Sequence, residues 1–296
     1  MISSARKGAL SMVAASICWS LGGLCLKYIP WGAMSIVGIR ALLAAITFVI
    51  YKRSFKISFT RGNIITALCL SATTVLFVFA NKQTTAAAAI LLQFTAPIFI
   101  ILIQFMFYKT KPKPSELTAV FVTICGMILF FLDRLDGGGF MGNIFAIASG
   151  LSFAGVFVCN KRPDTNPEQA ILLGFLINIL IGIPFAVFEA ANPSMWLEPN
   201  AWTSLTVWFF AAILGIVQVG CAYIFFTIGI KKTPALLGCL ITAMEPVLNP
   251  VWVALATPER PGKFAIIGGI VIISTVVCYN IWVENNSKFI KEGAKS

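Results

Sequence analysis

Hydrophobic residues run in ten long blocks with short polar connections: Gly8–Tyr28, Ala33–Tyr51, Ile64–Ala80, Thr85–Phe107, Ser115–Leu132, Asn143–Cys159, Ala170–Phe188, Leu205–Ile228, Pro234–Ala256 and Phe264–Trp282. One helical crossing of a bilayer takes roughly 20 apolar residues, and each block is about that long. The pattern predicts an all-α integral membrane protein with ten transmembrane helices, leaving little chain for a soluble domain. Arg6 and Lys7 precede the first block as in a signal peptide. The apolar run behind them is too long and lacks a clear cleavage site, so it reads as an uncleaved helix.

The polar connections sort by charge. On alternate sides of the ten crossings, sixteen Lys and Arg fall on one side and five on the other, with Arg40 left inside the second block. Cytoplasmic loops carry the excess of Lys and Arg. The split therefore predicts both termini in the cytoplasm of a multi-pass cell (inner) membrane protein. Tyr51 and Tyr108 on the inner side, and Trp31, Trp196 and Trp202 on the outer side, fall where an interfacial aromatic belt belongs. The net charge of +11 is spread over short loops that face anionic lipid, which argues against a nucleic-acid partner.

Composition narrows the function class. The chain is 58% hydrophobic and 11% charged, against about 25% charged in a soluble domain, which excludes an ordinary cytosolic enzyme and a disordered chain. It has no His, and its eight Cys all lie in apolar blocks without a Cys-x-x-Cys pair. Buried thiols acting as small hydrophobes are the plain reading, and no metal or other cofactor is expected.

The chain also looks duplicated. Gly8, Trp19 and Lys27 align at one constant offset with Gly142, Phe153 and Lys161. Lys82, Thr84, Ala86, Pro97 and Pro112 align at a second, longer offset with Lys231, Thr233, Ala235, Pro246 and Pro261, the difference fitting the outer loop Glu189–Thr203. The division is 1–132 for a first five-helix repeat, 133–142 for a linker, 143–283 for a second repeat and 284–296 for a basic tail. Five is odd, so the second copy inserts upside down. Inverted repeats place a site near the midplane and let it open to either side.

The residues Cys18-Trp19-Ser20-Leu21, Lys27, Pro30 and Arg40, then Ala89 to Pro97 (AILLQFTAP), then Met244-Glu245-Pro246, Pro258-Glu259-Arg260-Pro261 and Gly268-Gly269, resemble the EamA-like branch of the drug/metabolite transporter superfamily in order and spacing. The resemblance covers nearly the whole chain. It implies a ten-helix carrier of small metabolites, often an exporter of amino acids or related compounds. Two departures stand out. Trp19 is followed by Ser20 where the family has Trp-Gly, and Thr110-Lys111-Pro112 lacks the family's acidic residue before the fifth helix, which Glu259-Arg260-Pro261 keeps in the second half.

Intramembrane polar residues carry the candidate chemistry. Glu245 lies near the centre of its block, where a charge costs about 2.5–3.5 kcal/mol to insert, so it should face protein or water. It reads either as part of a substrate or proton pathway or as a structural acceptor between helices. Arg40 lies about a third of the way into its block; it can snorkel, pair with a carboxylate or hold an anionic group of a substrate. A guanidinium and a carboxylate at different depths suit a zwitterion. Trp19, too deep for an interfacial role, either lines a cavity or packs in the core. Gln93 and its repeat mate Thr242, with Asn178, Gln218, Tyr223 and Asn249, either line the pathway or bridge helices. Pro97 and Pro246 predict kinks in the fourth and ninth helices, read as gating elements or as static bends. Lys27, Lys82, Lys161 and Lys231 at helix ends read as snorkelling groups.

A secondary transporter working by alternating access, not an enzyme, fits best. Its partners are a small-molecule substrate, membrane lipid and, through Glu245, protons; a monomer is favoured. The alternative cargo is a cationic or quaternary amine held by Glu245 and an aromatic cage. An intramembrane enzyme lacks a His-Glu-x-x-His or Gly-x-Ser-x-Gly set, a channel lacks charge rings or a filter, and no P-loop for direct ATP drive is present.

Overall fold

The computed structural model describes residues 4–26, 28–132, 139–192, 200–256 and 262–293. Lys27, Trp196 and the stretch Pro258–Pro261, singled out above, lie outside the described residues, as does the side chain of Lys82. Among the described residues all regular structure is helical. In order these are α1 (Ser4–Trp19), α2 (Gly22–Leu26), α3 (Ala33–Lys52), α4 (Arg61–Gln83), α5 (Ala86–Gln93), α6 (Ala96–Tyr108), α7 (Pro114–Phe131), α8 (Phe140–Cys159), α9 (Pro167–Ala191) and α10 (Leu205–Ala212). A π-helical stretch, Ile213–Cys221, joins α10 to α11 (Ala222–Ile230), followed by α12 (Ala235–Thr242), α13 (Met244–Ala256) and α14 (Lys263–Gly293). These segments make up ten crossings. Nine are long and apolar enough to span a membrane, and the ninth in order is shorter, Ala235–Asn249.

Helix ends follow local chemistry. The Thr60, Thr85 and Asn166 side chains accept from backbone N–H groups in the first turns of α4, α5 and α9, satisfying donors that have no partner inside the helix. At α7, Pro114 opens the helix and Glu116 accepts from the Lys113 N–H at 3.0 Å. The last helix runs on to Gly293, so residues assigned above to a tail continue it.

The outside of the bundle is apolar. Leu205 is 87% exposed, Leu180 77% and Phe121 69%, the pattern of a protein whose solvent is lipid. Inside, helices meet through small residues, as expected where lipid tails supply no hydrophobic drive and close backbone approach must supply the contact. A Cβ on Gly38 of α3 would sit 2.4 Å from the Gly182 carbonyl carbon of α9, and one on Gly268 of α14 would sit 2.6 Å from the Gly126 carbonyl oxygen of α7. Two turns' worth of α9 beyond this crossing carry Pro184, which the helix accommodates without ending.

The packing has a regularity. The first crossing packs on the eighth and the third on the sixth; the second packs on the eighth and the third on the seventh. The second also packs on the seventh and the fifth on the tenth. Exchanging the first five crossings with the last five turns this set into itself. Gly8 abuts Thr233 while Gly142 abuts Thr84, and the Ser16 hydroxyl donates to the Ile241 carbonyl while Gly150 lies against the Leu92 carbonyl. The sequence alignment pairs Gly8 with Gly142 and Thr84 with Thr233, and Ser16 with Gly150 and Leu92 with Ile241 fall at the same two offsets.

The two ends of the bundle differ in chemistry. At one end the connections around 52–63, 160–169 and 229–233 meet. Glu168 takes Lys52 at 2.6 Å and Lys231 at 2.9 Å, Asp164 takes Arg162 and the Gly62 N–H, each at 2.9 Å, and the Lys161 ammonium donates to the Ile230 carbonyl. The three loops expected to share the Lys- and Arg-rich face do share one. At the other end Glu189, 2% exposed, accepts from the Gly32 N–H at 2.9 Å and from the Ser35 hydroxyl at 2.5 Å. It thereby caps α3 from the end of α9. Trp31, expected in an interfacial belt, is instead buried at 5% exposure. Its ring stacks on Trp202 with centroids 4.4 Å apart at 10°, and Trp208 meets it edge-on at 4.9 Å. Ring-on-ring contact inside the protein replaces the lipid interface for this residue.

Candidate functional site

Three crossings are interrupted near mid-bundle. The first breaks at Ser20–Leu21, the fourth at Phe94–Thr95 and the ninth at Ala243. The latter two breaks fall at matched positions of the sequence alignment. Pro97 and Pro246 do not kink a continuous helix, as expected above. Each sits in the first turn of a helix that has restarted, α6 and α13, where a missing N–H leaves no bond unmade. The breaks precede them by a few residues. At the first break the Gln218 amide donates to the Trp19 carbonyl at 3.2 Å, and the Trp252 indole N–H donates to the Ser20 hydroxyl at 2.7 Å.

Around these breaks three polar residues from three crossings converge. Arg40 of α3, Tyr223 of α11 and Glu245 of α13 lie deep among the helices and within electrostatic reach of one another. Each keeps part of its surface accessible. Among the described residues none of the three side chains makes a hydrogen bond or a close ion pair. Arg40 and Glu245 are thus opposite charges within electrostatic reach that no ion pair joins among the described residues. Glu245 lies in the first turn of α13, where the positive end of the helix dipole favours a carboxylate.

Aromatic rings form a wall around Tyr223. Trp19, 7% exposed, meets Tyr223 edge-on with centroids 5.2 Å apart at 72°, and Phe226 at 5.8 Å. Phe175 meets Tyr223 at 5.4 Å and 85°. Edge-to-face geometry is the favoured one for aromatic quadrupoles, so the wall is set by ring-on-ring contact.

Other expected residues are placed elsewhere. Asn178 accepts from the Ser71 hydroxyl at 2.7 Å, bridging α9 and α4. Gln93 donates to Ser149, which in turn donates to the Thr73 carbonyl, tying α5, α8 and α4. Thr242 is fully buried and donates to the Cys239 carbonyl of its own helix. Phe175, Phe226, Ser20 and Trp252 stand near the site without having been singled out as site residues. Trp252 lies one turn from the end of its block, where an interfacial tryptophan is expected, so nothing in the sequence singled it out. Among the described residues no cluster of three or more Cys, Asp and Glu could hold a metal ion.

The broken helices also differ along their length. The α12 half is buried throughout and packs on α6, both lying toward the Lys- and Arg-rich end. Among the described residues the opposite halves, α5 and α13, pack less closely on each other, although Ala87 and Val247 belong to one buried cluster.

Comparison with known proteins fits this architecture. An uncharacterized transporter of Archaeoglobus fulgidus is 26% identical over 80% of this chain and 84% of its own length. A protein of Ancylobacter novellus named aromatic amino acid exporter YddG is 23% identical over 65% of this chain and 67% of its own. A solved crystal structure superposes with a TM-score of 0.74 at 19% identity, covering 94% of this chain and 98% of the other, which shows a shared fold. The profile of the EamA-like transporter family matches residues 6–132 and 140–281. The chain is a multi-pass membrane transporter that belongs to the EamA-like transporter family.

Proposed function

We propose that this transporter carries a small zwitterionic metabolite, an amino acid or a close relative, out of the cell by alternating access. Arg40 takes the substrate carboxylate, Glu245 takes the ammonium group, and Trp19 and Tyr223 line the side-chain space. The observation that carries this reading is the pair of opposite charges, Arg40 and Glu245, deep in the bundle and within electrostatic reach without bonding each other. The name of the Ancylobacter relative is in keeping with it. Two inverted five-helix repeats supply the motion. The exchange-symmetric packing and the matched breaks in the fourth and ninth crossings support them. The closer packing of α6 on α12 than of α5 on α13 among the described residues supports a state open away from the Lys- and Arg-rich end. That end faces the cytoplasm in this reading, as do both termini, with the chain a monomer in the inner membrane. Gln93 and Thr242 flank the moving breaks, Pro97 and Pro246 start the moving halves, and Asn178 steadies the wall behind them. Protons couple through Glu245.

The test is counterflow of labelled L-amino acids in proteoliposomes of the purified protein. Arg40→Gln and Glu245→Gln should each weaken apparent affinity by about tenfold or more, the effect of removing one charged hydrogen-bond partner. Unchanged affinity in both variants refutes the assignment. A pH dependence present in wild type and absent in Glu245→Gln supports proton coupling; identical profiles refute it. A second reading, transport of a quaternary amine, draws on the same Glu245 and aromatic wall.

A further inference from the structure

One buried amide oxygen next to Trp19's stretch of the bundle has no partner among the described residues. Gln218 is 8% exposed, and its Nε2 donates to the Trp19 carbonyl at 3.2 Å. A backbone carbonyl only accepts, so the contact fixes which end of the amide faces the first crossing. Oε1 points the other way and is buried with no donor among the described residues. Buried acceptors left bare are uncommon in native proteins, because nothing offsets the water they gave up.

The local winding puts Gln218 on the stretch of chain that leads to Tyr223, and its amide lies against the backbone of Trp19. Gln218 belongs to the π-helical stretch, in which the Ala222 N–H bonds to the Val217 carbonyl five residues back. Bonding five apart brings residues five apart onto one face, and five residues after Gln218 comes Tyr223. The residue whose carbonyl Gln218 holds is Trp19, whose ring meets Tyr223. Gly22 leaves room beside the amide, since a Cβ there would come within 3.1 Å of Nε2.

We infer that Gln218 Oε1 is an acceptor kept for an N–H of the cargo, so that the site selects a protonated amine bearing hydrogens over its fully methylated counterpart. The inference rests on the proposed zwitterion reading and sharpens it. Glu245 and the rings attract both kinds of cation by charge and quadrupole. Only an N–H can occupy the Gln218 oxygen; a quaternary amine leaves it bare.

The experiment is competition against counterflow in proteoliposomes. L-leucine and L-phenylalanine are compared with their N,N,N-trimethyl betaines, which keep the carboxylate and side chain. In wild type the betaine should compete about tenfold less well than the amine. In Gln218→Met, which keeps the length and loses the acceptor, the amine should weaken about tenfold and the betaine hardly at all, bringing the ratio toward one. Gln218→Asn, which withdraws the same amide by one methylene, should lie between them and serves if the Met variant does not fold. Equal competition by amine and betaine in wild type overturns the inference, and so does a Gln218 variant that weakens both equally. Failure of every amino acid and betaine to compete overturns the zwitterion reading itself, a different outcome.

Discussion

Substituting Gly38 with alanine tests how the bundle is held together. An added Cβ would lie 2.4 Å from the Gly182 carbonyl carbon and 2.6 Å from the Ile183 nitrogen, whereas ordinary contact begins at 3.4 Å. Both opposing atoms are backbone, so no side-chain rotation can relieve the clash, and α3 and α9 must part by about 1 Å. A gap of that size forfeits up to about half of the dispersion between facing atoms. Lipid offers no hydrophobic compensation for it. Overpacking of this kind costs about 1–3 kcal/mol. Arg40 lies two residues further along α3, so transport should fall even where the protein still folds. The assay is unfolding of the detergent-solubilised protein, paired with counterflow. Gly182→Ala should behave alike, and the double variant should lose less than the sum of the two, because one separation serves both added methyls. A Gly38→Ala protein that melts with wild type and transports normally would falsify the close-approach account.

Other outcomes follow from contacts at the two ends. Glu189→Ala leaves the Gly32 N–H and Ser35 hydroxyl without their acceptor and should destabilise by about 2 kcal/mol in denaturant unfolding; Glu189→Gln, which keeps one oxygen, should lose less. Glu168→Gln removes two ion pairs whose members are partly exposed, and should shift stability by less than about 1 kcal/mol per pair, since such pairs are screened. Lys161 lies outside the spans, and desolvation of its ammonium pushes it down to about 8 from the ordinary 10.5. The unfolded chain then binds more protons than the folded one between those values, so this group's contribution to stability rises with pH across that window. Lys161→Met should flatten that rise in thermal melts.

Much of the architecture could be read from hydropathy because lipid imposes it. Apolar blocks of bilayer length, with the charges sorted by side, leave few alternatives to ten helices. Breaks inside those blocks were less legible. Pro97 and Pro246 announced two of them, though as kinks, because proline shows where a helix can begin as well as where it bends. Nothing in Cys18-Trp19-Ser20-Leu21 marks the first break, which is stabilised by Gln218 and Trp252 from far along the chain. Glu189 falls one residue beyond the seventh block and so read as loop, yet it is buried by a partner helix whose start it caps. Polarity alone did not separate Arg40 and Glu245 from Asn178 and Gln93, since whether a polar side chain is satisfied by a neighbouring helix is a property of packing.

The stretch Ile213–Cys221 has a consequence for how the chain tolerates length changes. A helix advances about 100° per residue, and the slack turn there offsets everything downstream from the azimuth that uninterrupted α winding would give. Removing a single residue between Ile213 and Cys221 would let the segment rewind as regular α-helix, and the rotation lost with the residue would largely be regained by the tighter winding. Tyr223 and Phe226 would then keep the side that meets Trp19. A deletion in an uninterrupted helix such as α9 has no such slack and would turn every residue after it by about 100°.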